Sequence, residues 1–212
     1  MIGMLAASSI AGLTRLLTGV RGNWAGCEPV SGAPCVYFAN HRSHGDAVVM
    51  WAVLARRLNW RLRPVGAADY WAHGRIRRFF VEKAFRSILI DRWKIRGDRN
   101  PIPAMADAIE RGDSLIVFPE GTRNTTEAPL LPFKCGLYHL AKARPSIEFV
   151  PVWISNCDRV LPKGELLPVP FLCTLTFGPP LRLSRGESKG EFTNRAFEAL
   201  ASLAHPLRWK TT

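Results

Sequence analysis

The chain has 212 residues, 47% of them hydrophobic and 22% charged, which excludes a disordered segment and is long enough for one domain with a sizeable core. Its formal net charge of +12 points to a polyanion (nucleic acid, an anionic membrane surface or phosphorylated substrates) without choosing among them. Cys27, Cys35, Cys135, Cys157 and Cys173 are scattered with no C-x-x-C pair, which speaks against a disulfide framework or zinc knuckle and for a reducing compartment, where they read as small buried hydrophobes or bystander thiols.

The first element is a helix within residues 1–24. At about 100° per residue, Ile2, Leu5, Ile10, Leu13, Leu16, Leu17 and Val20 share one face, while Ser8, Thr14, Arg15 and Thr18 lie opposite. No charged segment precedes the apolar stretch and no cleavage site follows, so it reads neither as a signal peptide nor as a membrane span. Such an amphipathic helix either lies in a membrane interface or packs on the domain.

Cys35–Ala39 is a short apolar run of strand character that stops at Asn40-His41. Ser43 opens a helical pattern through Val48, Val49, Trp51, Leu54 and Leu58. A strand is expected at Leu62–Ala67 and a basic helix over His73–Phe85. Both fall within the stretch from Arg56 to Arg99, where thirteen Lys or Arg face four acids for a net of +9. Ser87–Ile90 reads as a buried strand ending at Asp91-Arg92. Ile102–Arg111 is a helix stopped by Gly112, and Ser114–Phe118 a strand broken by Pro119. A helix at Lys134–Ala143, a strand at Ile147–Ile154, a Pro-rich loop at Leu161–Pro170, a strand at Phe171–Phe177 and a helix at Phe192–Ala204 complete the series. Strands alternating with helices predict a single α/β domain over residues 25–212.

Three polar clusters follow strands: Asn40 to Asp46, Asp91-Arg92, and Pro119 to Arg123. In α/β sheets, ligand sites form beyond the carboxyl ends of strands, so these clusters are candidates to meet in one crevice. A histidine removes a proton from a hydroxyl near neutral pH when a carboxylate fixes its tautomer. His41 before the helix and Asp46 in its first turn permit that pairing. Ser43-x-x-Asp46 also fits a capping box, which would make Asp46 purely structural. His44 raises a metal alternative, but the His41, His44, Asp46 spacing does not match the H-x-H-x-D-H pattern of metal hydrolases. In the third cluster, Gly121 permits close ligand approach, Arg123 can grip a phosphate, and Lys134 adds a positive charge. The other reading is a Pro-Gly turn whose Glu120 and Arg123 pair with each other or with neighbours.

Taken in order, these clusters resemble the lysophospholipid (1-acylglycerol-3-phosphate) acyltransferases of the glycerolipid acyltransferase superfamily. The N-H-x4-D block is matched by Asn40, His41 and Asp46, and the strand ending in Arg by Ile88 to Arg92. F-P-E-G-T-R is matched by Phe118 to Arg123, F-K-x-G by Phe133 to Gly136, and V-P-V by Val150 to Val152. The resemblance covers residues 30–155 and implies a mixed sheet flanked by helices. It further implies a ternary mechanism with no acyl-enzyme, His41 as general base and Asp46 orienting it. Arg92, Glu120, Gly121, Thr122, Arg123 and Lys134 would then bind the acceptor. The absence of a G-x-S-x-G elbow fits a chain that supplies a base rather than a nucleophile.

The implied reaction needs no bound cofactor and no metal. It takes acyl-CoA or acyl carrier protein as donor and a lysophospholipid as acceptor, at the cytoplasmic face of an anionic membrane, in phospholipid biosynthesis. The N-terminal segment is less hydrophobic than in many family members, and the chain ends soon after the V-P-V block, which leaves little room for a substrate-selecting domain. A lyso-aminolipid acceptor or thioester hydrolysis on the same fold therefore stay open as alternatives. A basic nucleic-acid-binding module would leave the His41 and Phe118–Arg123 blocks without a role.

Overall fold

The computed structural model describes residues 2–26, 33–67, 84–90, 100–157 and 173–204. Seven strands form one sheet: β1 (Arg21–Trp24), β2 (Cys35–Ala39), β3 (Leu62–Ala67), β4 (Ile88–Ile90), β5 (Ser114–Val117), β6 (Glu148–Ser155) and β7 (Thr174–Phe177). Their spatial order is β1-β7-β6-β2-β5-β3-β4. From β6 to β4 every pairing is parallel, whereas β7 runs antiparallel to β6 and carries β1 parallel to itself. The sheet is therefore mixed, as the resemblance implied.

β2 is an unbroken apolar run, and β5 and β6 beside it are apolar between polar ends, because helices cover both faces. Along β2 the side chains alternate. Val36 and Phe38 join Leu115 and Phe149 in a core with Met105, Ile109, Leu140, Phe192 and Leu200. These last residues come from α3 (Pro101–Glu110), α4 (Gly136–Ala143) and α5 (Lys189–Ala201). Tyr37, Ile116 and Val150 face the other way, onto Met50, Trp51 and Leu54 of α2 (Asp46–Leu54).

Helix α1 (Ile2–Thr18) packs on α2, so α2 is buried on nearly every side. The docking is the reverse of a usual amphipathic helix. Ala11 and Thr18 are buried, and the Arg15 guanidinium donates to the Ala52 and Val53 carbonyls in the last turn of α2, where the helix dipole favours a cation. Leu13, Leu16 and Leu17 are left 56%, 81% and 45% exposed.

Several boundaries differ from the sequence expectations. Helix α2 starts at Asp46, not Ser43, because the Ser43 hydroxyl accepts from the Gly45 amide instead of capping a helix. Helix α4 starts at Gly136, since the Lys134 amide is held by the Pro119 carbonyl. Helix α5 starts three residues early at Lys189, where Ser188 and Glu191 form a reciprocal capping box, and gives way to a 3₁₀ turn at Ser202–Ala204. Strand β1 was not expected at all. Its sequence, RGNW, has no apolar alternation, and pairing with β7 and stacking of Trp24 on Phe177 at 3.9 Å hold it in place. Most of the expected helix at 73–85, the Asp91-Arg92 pair and the loop at 161–170 lie outside the described residues.

Candidate active site

β2 and β5 are parallel neighbours, with Phe38 opposite Val117, so the segments leaving their carboxyl ends are brought side by side. His41 follows β2, and the turn from Phe118 to Asn124 follows β5. Asn40, between β2 and His41, is buried. Its side chain accepts from the Ile154 amide at 2.7 Å and donates to the Ile154 carbonyl at 3.0 Å, which locks the end of β2 to the end of β6.

His41 is fixed from four directions. Its amide donates to Glu120 Oε1 at 2.8 Å, and its carbonyl accepts from the Asn124 amide at 2.6 Å. Its ring stacks on Phe118 with centroids 4.2 Å apart and planes 20° apart. Its Nδ1 lies 2.9 Å from Asp46 Oδ2. A carboxylate only accepts, so Nδ1 is the donor of this bond, and in the neutral imidazole the lone pair is then on Nε2.

Asp46 Oδ2 also accepts from the Arg42 amide at 2.7 Å and the Ser43 amide at 2.8 Å. Only half of the expected capping box forms: Asp46 Oδ2 accepts the Ser43 amide, but the Ser43 hydroxyl does not bond the Asp46 amide, and the same Asp46 oxygen contacts the imidazole.

The His41 side chain borders a cleft of about 510 Å³. Apolar residues such as Val65, Met105, Ile102 and Leu137 line it together with the polar and charged Thr122, Arg123, Lys134 and His139. Gly121 also lines it, at φ 70°, and a Cβ added there would stand 2.7 Å from Lys134 Cε. The lysine stem therefore lies across a bare stretch of backbone, which only glycine allows.

Glu120 has a different place from the one the resemblance implied. It is 2% exposed and is not among the residues lining the cleft. Besides the His41 amide it accepts from the Leu131 amide at 2.9 Å. Burial pushes its carboxyl above the ordinary value, against the pull of the Leu131 and His41 amides. It braces the two segments. Of the other acceptor-site candidates, Gly121, Thr122, Arg123 and Lys134 border the cleft with His41, and Arg92 lies outside the described residues. Phe118 and Asn124 act on His41 without having been singled out. Phe118 stood inside the quoted F-P-E-G-T-R block, whereas nothing in the sequence marks Asn124.

Comparison with known proteins places the chain in a family and a fold. A family model described as Acyltransferase matches residues 23–155. The 1-acyl-sn-glycerol-3-phosphate acyltransferase of Limnanthes alba is 30% identical over 191 residues, covering 85% of this chain and 61% of that protein. The enzyme of the same name from Saccharomyces cerevisiae is 27% identical over 154 residues, covering 69% of this chain and 47% of that protein. The chain thus spans about three fifths of the Limnanthes relative and less of the yeast one. The crystal structure of the 1-acyl-sn-glycerophosphate (LPA) acyltransferase PlsC from Thermotoga maritima superposes with a TM-score of 0.73. It shares 18% identity and covers 97% of this chain and 80% of that one, a likeness of fold.

Proposed function

This chain belongs to the acyltransferase family, and we propose that it moves a fatty acyl group from acyl-CoA or acyl carrier protein to the free hydroxyl of a lysophospholipid, 1-acyl-glycerol-3-phosphate first among them. The observation that carries the reading is an imidazole whose backbone, ring plane and Nδ1 are all held, in a residue that lines a cleft shared by apolar side chains and by Arg123 and Lys134.

His41 Nε2 takes the proton of the acceptor hydroxyl as its oxygen attacks the thioester carbonyl. Asp46 orients the ring and stabilises the imidazolium that results. The tetrahedral intermediate collapses with cleavage of the carbon–sulfur bond, and the leaving thiolate takes the proton back from His41. Arg123 and Lys134, with Arg92 by resemblance, bind the acceptor phosphate, and the apolar lining takes the acyl chain. His41→Ala is expected to lower kcat by roughly a hundred- to ten-thousand-fold with an unchanged unfolding transition. Near-normal transfer, followed as lysophosphatidate-dependent release of free thiol, would remove the mechanism. Release independent of any lysolipid would favour hydrolysis.

The exposed Leu13, Leu16 and Leu17, together with the +12 charge, support an anionic membrane as the surface on which the protein works, at its cytoplasmic face. Among the described residues no helix is long and apolar enough to cross a membrane. Co-sedimentation with vesicles is expected to rise with the fraction of anionic lipid and to fall with salt and in Leu16→Ser. Indifference to all three would sink the interfacial reading.

A further inference from the structure

Asp46 is 1% exposed, and its two oxygens are treated very unequally. Oδ2 takes the His41 ring and the Arg42 and Ser43 amides. Oδ1 is buried as well, yet no hydrogen bond reaches it. Buried carboxylate oxygens nearly always have a donor, because an ion without one forfeits its hydration for nothing in return.

A thiol stands beside it. β6 ends at Ser155, Asn156 adopts φ 63°, and the next residue, Cys157, lies close enough to Asp46 to feel its charge. A Cβ added to Gly45, the residue just before Asp46, would meet Cys157 Sγ at 3.4 Å. The Asn40 lock on Ile154 holds this end of β6 in register with the histidine segment. Cys157 is 6% exposed, and Cys173, next to it, is fully buried. Hydrogen bonding to Cys173, then burial and the nearby Asp46 charge, hold the Cys157 thiol far above its ordinary pKa. It therefore remains an S–H group, a donor rather than a second anion.

We propose that Cys157 is a positioning residue for the acyl transfer, its S–H donating to Asp46 Oδ1 so that the carboxylate is held at both oxygens. This rests on the role of His41 and Asp46 given above. The carboxylate is the stronger acceptor, so the Cys157 hydrogen turns to Oδ1 and the Cys173 thiol donates in turn to Cys157 Sγ. The chain Cys173, Cys157, Asp46, His41 then runs from the core to the cleft. With Oδ1 satisfied, the carboxyl plane is fixed. The imidazole it orients is fixed with it.

Two measurements test this. Cys157→Ala is expected to lower kcat roughly three- to tenfold, the worth of one modest hydrogen bond, with KM for both substrates within about twofold. Cys157→Ser, which keeps a donor, restores kcat. The second is the S–H stretching band of Cys157, isolated by subtracting the infrared spectrum of the Cys157→Ala protein. It is expected below the position of a thiol without an acceptor and moves up in Asp46→Asn. The proposal is overturned if Cys157→Ala turns over normally, if Cys157→Ser fails to restore what alanine loses, or if the band is indifferent to Asp46→Asn. The infrared measurement needs no turnover, so it decides the role of Cys157 even if the wild-type protein transfers no acyl group, a failure that would strike the proposed function instead.

Discussion

The sheet holds buried carboxylates at both ends, by opposite means. Beyond the carboxyl ends of β2 and β5, Asp46 and Glu120 are gripped by backbone amides at 2.7 to 2.9 Å. At the amino end of β5, Asp113 is 2% exposed and sits among the guanidinium groups of Arg61, Arg63 and Arg86, all at 3.6 to 3.7 Å. Amides are part of the chain path and cannot drift, so they fix where a carboxylate points. Long arginine side chains neutralise charge without fixing direction. Burial even lowers Arg63 below its ordinary pKa, despite the opposing pull of Asp113. One end of the sheet is built for geometry and the other for charge balance.

Glu120→Ala puts the sharpest strain on this contrast. It orphans the buried amides of His41 and Leu131, with an expected loss of about 2–4 kcal/mol in denaturant unfolding and a fall in kcat of roughly a hundredfold as His41 loses its backbone anchor. A variant that is merely less stable, with kcat intact, would deny Glu120 its bracing role. Glu120→Gln keeps one carbonyl acceptor but turns an N–H₂ towards the other amide, and about half of both effects is expected. Asp113→Asn is the mildest of the three for catalysis. Stability is expected to fall by about 1–3 kcal/mol, while kcat stays within about twofold. If Asp113→Asn slowed turnover as much as Glu120→Ala, the two ends would not be separate in function.

Much of the site was legible because its parts lie close together in sequence. Asn40, His41 and Asp46 sit within one strand–turn–helix, and Phe118 to Arg123 within one turn. The alternation of strands and helices was legible too, since β2, β5 and β6 are mostly apolar. Three things were not. β1 owes its conformation to pairing with a strand 153 residues further along the chain, so RGNW carries no local trace of it. The use of Glu120 as a brace depends on β2 and β5 being neighbours, which spacing alone does not state. The outward leucines of α1 were read correctly as one face of a helix, but the side that meets the domain is decided by Arg15 finding the free carbonyls of α2. Two local capping signals stand just ahead of the expected helix starts: Asn100-Pro101 before Ile102, and the Ser188–Glu191 box before Phe192.

The turn from Phe118 to Asn124 grips both the amide and the carbonyl of His41 and carries Arg123 at the cleft. Under the proposed mechanism, recognition and chemistry would share one short piece of backbone. An acceptor whose phosphate pulled that turn inward would drag the base with it, whereas a molecule lacking the phosphate would leave the base where it rests. Selectivity among lysolipids would then be felt in turnover as much as in affinity.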